Sequence, residues 1–353
     1  MLFRFRSLAS LTALLVFSFT AMTPKARAEA TYNVCWSHYT GWEPWAFADS
    51  SGILKKWADK YKIKVKLTRI NDYVESINLY TAGKYDACAM TNMDALTIPA
   101  AGGIDSTALI VGDFSNGNDG VIAKGATSLA QLKGRKVKLV ELSVSHYLLA
   151  RALAMNGMSE KDIKVINTSD ADIGSVFMAE KDAAAVTWNP ILMKLRQAKE
   201  AALLFDSSKI PGEIIDLMVV KTAAPDALKR ALTGAWYETM TAMTGGGKAQ
   251  DDAIAAMAKS AGGSVDDFKA QLTTTAMFYK PSDAVAFVKS PEVRKSMDYV
   301  RTFSFDHGLF GKGAKSKEAV GIAFPDGSTL GNNKNIKLRF DATHMQMAAD
   351  GKL

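Results

Sequence analysis

Short apolar runs alternate with amphipathic stretches along most of this chain. Residues 32–36 read as a strand, followed by an aromatic loop and a helix over 53–61. Residues 63–70 alternate as a second strand, and 72–81 are helical with Gly83 at the stop. A strand over 85–90, a helix over 92–101 ending in Gly102-Gly103, and a strand over 107–112 complete the first series. The polar, Gly-rich run 114–120 then reads as a crossing between lobes. The rhythm restarts with strands over 137–141, 165–167 and 183–188, and helices over 145–156, 172–180 and 190–198. Residues 210–213 read as the return crossing, 214–221 as a strand, and most of the rest to residue 304 as helix. Strands alternating with helices predict an α/β fold built on parallel sheets.

A lobe interrupted by a second lobe and then resumed makes two crossings, hence a hinge and a cleft. The expected organisation is residues 29–116 plus 214–320 as lobe 1, 117–213 as lobe 2 and 321–353 as a C-terminal extension. The 353 residues fit two lobes better than one core.

Residues 1–28 have a separate character. Arg4 and Arg6 precede an apolar run, and Ala26-Arg27-Ala28 is a small-x-small cleavage pattern, so this segment reads as a signal peptide cut after Ala28. It carries four basic residues and no acid, which is +4 of the net +7. The near-balanced remainder gives no footprint for nucleic acid. Export puts the mature protein in the periplasm, where Cys35 and Cys88 would bridge if their strands are neighbours, or otherwise stay as buried thiols. Two Cys and four scattered His make no metal site. No nucleophile elbow, phosphate loop or dinucleotide fingerprint is present, so neither an enzyme nor a cofactor is expected.

Ligands of open parallel sheets sit outside the carboxyl ends of the strands. The residues to read there are Trp36, Tyr39, Trp42, Asn92, Asp94, Glu141, Ser143, Ser145, His146, Trp188, Asn189 and Asp216. The charged residues among them are the carboxylates Asp94, Glu141 and Asp216, with no Lys or Arg. Carboxylates and Trp faces suit a small planar cation, through charge-assisted hydrogen bonds at its edge and cation–π contact on its face. Other roles stay open for several of them: helix capping for Asp94, Ser143 and Ser145, ring packing for His146, core packing for Trp188 and for one of Trp42 and Trp45, and a hinge position for Asp216. Glu141, at the end of a buried strand, is the expected main charge partner.

The segments LKGRKVKLVELSVSHYLLARAL and DAAAVTWNPIL resemble the periplasmic substrate-binding proteins of ABC importers for nitrate, sulfonates and bicarbonate, over roughly residues 30–310. Residues 71–120 are most similar to the subgroup encoded beside urea carboxylase, known as urea binders with guanidine as the rival ligand. Glu43 stands where that subgroup carries an apolar residue. The resemblance implies a type II periplasmic-binding-protein fold, a monomer, and an ABC permease of the inner membrane as partner. The expected ligand is guanidinium or urea. An aminopyrimidine or amidine-like base, or an oxyanion such as a sulfonate or nitrate, is the alternative.

Overall fold

A computed structural model describes residues 29–353, so the expected signal peptide lies outside the described residues. The chain forms two sheets. The strands of the large one are β1 (Ala30–Trp36), β2 (Ile63–Arg69), β3 (Ala87–Thr91) and β4 (Ser106–Ser115). The small sheet follows, with β5 (Asp119–Lys124), β6 (Lys136–Leu139), β7 (Lys164–Asn167), β8 (Ala184–Trp188) and β9 (Ala201–Asp206). The chain then returns to the large sheet with β10 (Ile215–Lys221), β11 (Thr275–Met277), β12 (Gly321–Ala323), β13 (Thr329–Leu330) and β14 (Ile336–Phe340). The spatial orders are β13-β12-β14-β4-β10-β3-β1-β2, with β11 on β4, and β7-β6-β8-β5-β9. Helices cover both sheets, and no helix among the described residues is long and apolar enough to cross a membrane.

The two-sheet α/β architecture is as expected, but the sheets are mixed rather than parallel throughout. β10 runs antiparallel to both β3 and β4, and β5 antiparallel to β8 and β9. The cause is the pair of crossings. A strand that enters its sheet directly from the other one comes in at the end where its βα-connected neighbours finish.

β4 extends to Ser115 and β5 begins at Asp119, so the crossing expected over 114–120 shrinks to three residues. Gly117 sits at φ +107, a conformation that a side chain would strain. The second crossing lies against the first. Ser207 Oγ is 2.7 Å from Ser115 Oγ and accepts from the Gly117 amide at 2.8 Å.

Residues 321–353 are not an appended extension. β14 pairs in parallel with β4, with Leu338 opposite Ser106, and β12 and β13 continue the sheet from there. Cys35 and Cys88 stand opposite one another on β1 and β3, yet both are free, buried thiols. Burial, reinforced by the neighbouring Cys88, pushes the Cys35 thiol far up, so it stays protonated.

Candidate functional site

One transverse row of residues on each sheet builds the site. On the large sheet, antiparallel register sets Asp216 of β10 opposite Thr91 of β3 on one side and Asp113 of β4 on the other. On the small sheet, Asp119 of β5 stands opposite Trp188 of β8. The two rows meet across a tight cavity of about 10 Å3, lined by Tyr39, Trp42, Tyr73, Thr91, Asp119, Val144, Trp188, Ile214 and Asp216.

Its walls are aromatic. Tyr39 meets Trp42 edge-on at 5.0 Å between ring centroids, Trp42 lies 5.6 Å from Tyr73, and Tyr73 meets Trp188 edge-on at 5.6 Å. Tyr39 and Trp42 come from the loop after β1, and Tyr73 from the first turn of the helix after β2. A short 3-10 turn over Thr40–Trp42 carries Trp42 in. That turn needs Gly41, because a Cβ there would fall 2.5 Å from Asp113 Oδ2 and from the Tyr39 ring.

The ionisable groups of the lining other than the two tyrosines are acids, Asp119 and Asp216, with Asp94 and Asp113 behind them. Asp94, Asp113, Asp119 and Asp216 are each at most 3% exposed. Asp94 accepts from the Tyr73 hydroxyl at 2.6 Å and the Thr91 hydroxyl at 2.9 Å. Tyr39 donates to Asp113 Oδ1 at 2.9 Å, and Ser115 to Asp119 Oδ2 at 2.5 Å. Asp94 Oδ1, Asp113 Oδ2 and Asp216 Oδ2 are buried without a hydrogen-bond partner. No Lys, Arg or His is among the lining residues. Burial therefore dominates their protonation, pushing Asp94 up to about 6 and Asp119 up to about 7. Asp113 is raised by burial to about 7, and Asp216 is raised well beyond the carboxylate range by burial and by the negative charge of Asp113 beside it. Opposite each other on adjacent strands, these two resist ionising together.

Of the residues expected from sequence, Tyr39, Trp42, Trp188 and Asp216 line the cavity, and Asp94 is held against its wall by Tyr73. The structure does not bring the others there. Glu141 is exposed: β6 ends at Leu139, and the loop beyond turns through Leu142 at φ +63, sending Glu141 outward. Trp36 is buried in its own sheet under Arg69, 5.9 Å from the ring centroid. Asn92 holds the second crossing, donating to the Glu213 carbonyl at 3.1 Å and accepting from the Ile215 amide at 3.0 Å. Asn189 accepts from the Met193 amide and donates to Thr274 Oγ1. Ser143 is the N-cap of helix Val144–Met155, accepting from the Ser145 amide at 3.2 Å, while the Ser145 hydroxyl is buried without a partner. Tyr73, Asp113, Asp119 and Ile214 were not anticipated. Their signals were Asp113 after Gly112 and Asp119 within the Gly-rich run, both acids at a strand end.

His146 belongs to a different cluster. With Glu160 and His307 it brings three potential metal-ligand atoms within 4.8 Å of one another. Its hydrogen bonds suit protons better than a metal. The Leu142 amide donates to His146 Nδ1 at 3.0 Å, leaving the ring proton on Nε2, which faces Glu160. His307 faces the Phe303 carbonyl with Nδ1 and Glu160 with Nε2, two acceptors that favour the cationic ring, and the bond to Glu160 raises its proton affinity. Glu160 is accordingly held down at about 2 by its bonds to the two rings.

This architecture is the periplasmic-binding-protein fold, as comparison with solved structures shows. The chain superimposes on the alkanesulfonate-binding protein SsuA from Xanthomonas axonopodis pv. citri, bound to MOPS, with a TM-score of 0.65 and 16% identity over 81% of this chain and 96% of that one. It matches the periplasmic nitrate-binding protein NrtA from Synechocystis with a TM-score of 0.57 and 13% identity, over 92% of this chain and 99% of that one. Residues 55–224 match the family model described as NMT1/THI5 like. Binding proteins of Brucella abortus and Brucella suis are 29% identical over 146 residues, which is 39% of this chain and 45% of their own length. The match thus spans under half the length of those relatives.

Proposed function

We propose that this chain is the extracytoplasmic solute-binding protein of an ABC importer, and that its cavity takes a small planar organic cation of the guanidinium type. One observation carries the ligand class: two buried aspartates, Asp119 and Asp216, line an aromatic cavity that holds no base, with Asp94 and Asp113 buried behind them. A guanidinium edge would donate to Asp119 and to the unpartnered oxygen of Asp216, the two acids that line the cavity, and its face would lie against Trp42 or Trp188. An oxyanion would meet carboxylates where it needs donors. Urea would leave the buried charge uncompensated.

The solved relatives named for sulfonate and nitrate support the importer role. Their ligands do not transfer, because the lining acids here oppose an anion. On this reading the protein acts in the periplasm as a monomer, closes on its solute and presents it to a membrane permease.

A thermal-shift and calorimetry panel of guanidinium, methylguanidine, an aminopyrimidine, urea, taurine and nitrate tests the ligand class. Stabilisation by guanidinium compounds alone supports it. A shift with taurine or nitrate and none with any cation overturns it.

A further inference from the structure

We propose that the cavity is a cation–proton exchange site: it closes either on a fixed positive charge or on protons, so its substrate is a permanently charged cation rather than a neutral molecule or a weak base. This deepens the function proposed above and rests on that reading for the nature of the ligand.

The basis is where the acids stand. Asp216 belongs to the large sheet and Asp119 to the small one, and closure puts both on a single cavity wall. Asp216 is 2% exposed, lines the cavity, and keeps one carboxylate oxygen without a partner. Asp113 stands beside it on β4, also with an unpartnered oxygen.

The groups around them cannot neutralise this charge. Tyr39 and Tyr73 are held protonated by burial and by the neighbouring acids, and they donate to Asp113 and Asp94. Ser115 and Ser207 are neutral partners beside Asp119. Tyr279 is also raised, by burial and then by the field of Asp113. Further out, Glu43 is paired with His38 at 2.7 Å, and Asp170, itself raised by burial, accepts from the Tyr73 amide.

Closure of the empty, fully ionised site would force Asp94, Asp113, Asp119 and Asp216 together with no counter-charge, in a medium that screens poorly. Two escapes exist. Protons enter from solvent and neutralise the pair Asp113–Asp216 and Asp119, or a cation enters and those protons return to solvent. Either way the cavity charge is compensated. A neutral solute brings no such compensation, so it cannot drive closure at a pH where the acids are ionised. A weak base that deprotonates near neutrality would compete poorly for the same reason.

The experiment has two arms. In the first, small-angle scattering follows the ligand-free wild type from pH 8.0 to pH 5.5. The expected result is an open molecule at pH 8.0 that compacts on acidification, while Asp119→Asn and Asp216→Asn are already compact at pH 8.0. Circular dichroism checks that each variant is folded, and either one suffices. A wild type whose dimensions do not change with pH, or folded variants as open as the wild type at pH 8.0, overturns the exchange model.

In the second arm, guanidinium binding at pH 7 is measured by calorimetry in two buffers of different ionisation enthalpy. Release of about one proton per cation, reduced in Asp119→Asn, supports exchange. Binding with no proton release overturns it. If guanidinium fails to bind while the first arm succeeds, the choice of ligand is wrong and the exchange stands.

Discussion

The indole N–H of Trp188 donates to the backbone carbonyl of His38 at 3.0 Å. Trp188 ends β8 of the small sheet and His38 follows β1 of the large sheet, so this bond joins the two across the cavity. Ser169 does the same at the rim, donating to Asp72 Oδ2 at 2.9 Å. The closed arrangement thus has direct fastenings of its own besides whatever the ligand contributes.

Replacing Trp188 by Phe keeps an aromatic face and removes the N–H. The His38 carbonyl then loses its donor, and cation binding should weaken by about 0.5–1.5 kcal/mol, the net scale of one hydrogen bond. Trp188→Leu also removes the ring quadrupole and should cost about 0.5–2 kcal/mol more. Calorimetry of both variants checks the order. Equal affinities for wild type and Trp188→Leu would place this ring outside the ligand contact.

Asp216→Asn preserves shape and removes one charge, so guanidinium affinity should fall by roughly 1.5–3 kcal/mol, the range for a hydrogen bond to a charged group. Glu141→Gln should leave affinity unchanged, because Glu141 is exposed beyond the end of β6. The pair separates a residue built into the cavity from one that only ends the same kind of strand. A large loss in Glu141→Gln would require a different closed state.

The buried acids fix the sign of the pH dependence. Asp94, Asp113 and Asp119 are raised by burial to about 6, about 7 and about 7. Between pH 4 and 7 the folded, closed chain therefore binds more protons than the unfolded one, and its stability falls as pH rises. Glu160, held at about 2, acts oppositely and favours folding above pH 4. The ligand-free melting temperature should accordingly peak near pH 4–5 and decline toward pH 7.5, whereas cation affinity should rise over the same span. A melting temperature that climbs steadily to pH 7.5 without ligand would contradict the burial of these acids.

Cys35 and Cys88 are fully buried as free thiols. Native protein should give no reaction with a thiol reagent, and denatured protein two thiols per chain. Fewer than two after denaturation would reveal a disulfide between β1 and β3.

The strand–helix rhythm made the two-sheet architecture readable, because each strand core is a short apolar run closed by Gly or a capping residue. β5 and β9 escaped. β5 begins inside the Gly-rich run that looked like linker, and Ala201–Asp206 follows a helix without a strong break. The carboxyl-end rule located Tyr39, Trp42, Asp94 and Trp188, since it depends only on strand order and direction; Asp216 lies at the amino end of β10 and reaches the site because β10 runs antiparallel to its neighbours. It could not give the direction of a side chain in a loop, which is why Glu141 pointed away. Asp113 and Asp119 were hidden for the opposite reason: β4 runs three residues beyond Gly112 with a register shift near Asp216, and no periodicity in one strand reports its partner's register.

The interlaced sheet order also sets a sequence in time. The small sheet uses one continuous stretch, from Asp119 to Asp206, and can assemble as soon as that stretch is present. The large sheet cannot. β4 lies between β10 and β14, so its neighbours come from chain more than a hundred residues downstream on one side and more than two hundred on the other. Closing such loops is slow. Until Thr275–Met277 pairs with Asp113–Ser115 and Ile336–Phe340 with Ser106–Ala108, that edge of β4 is unprotected, so the acid row is among the last parts of the molecule to be set.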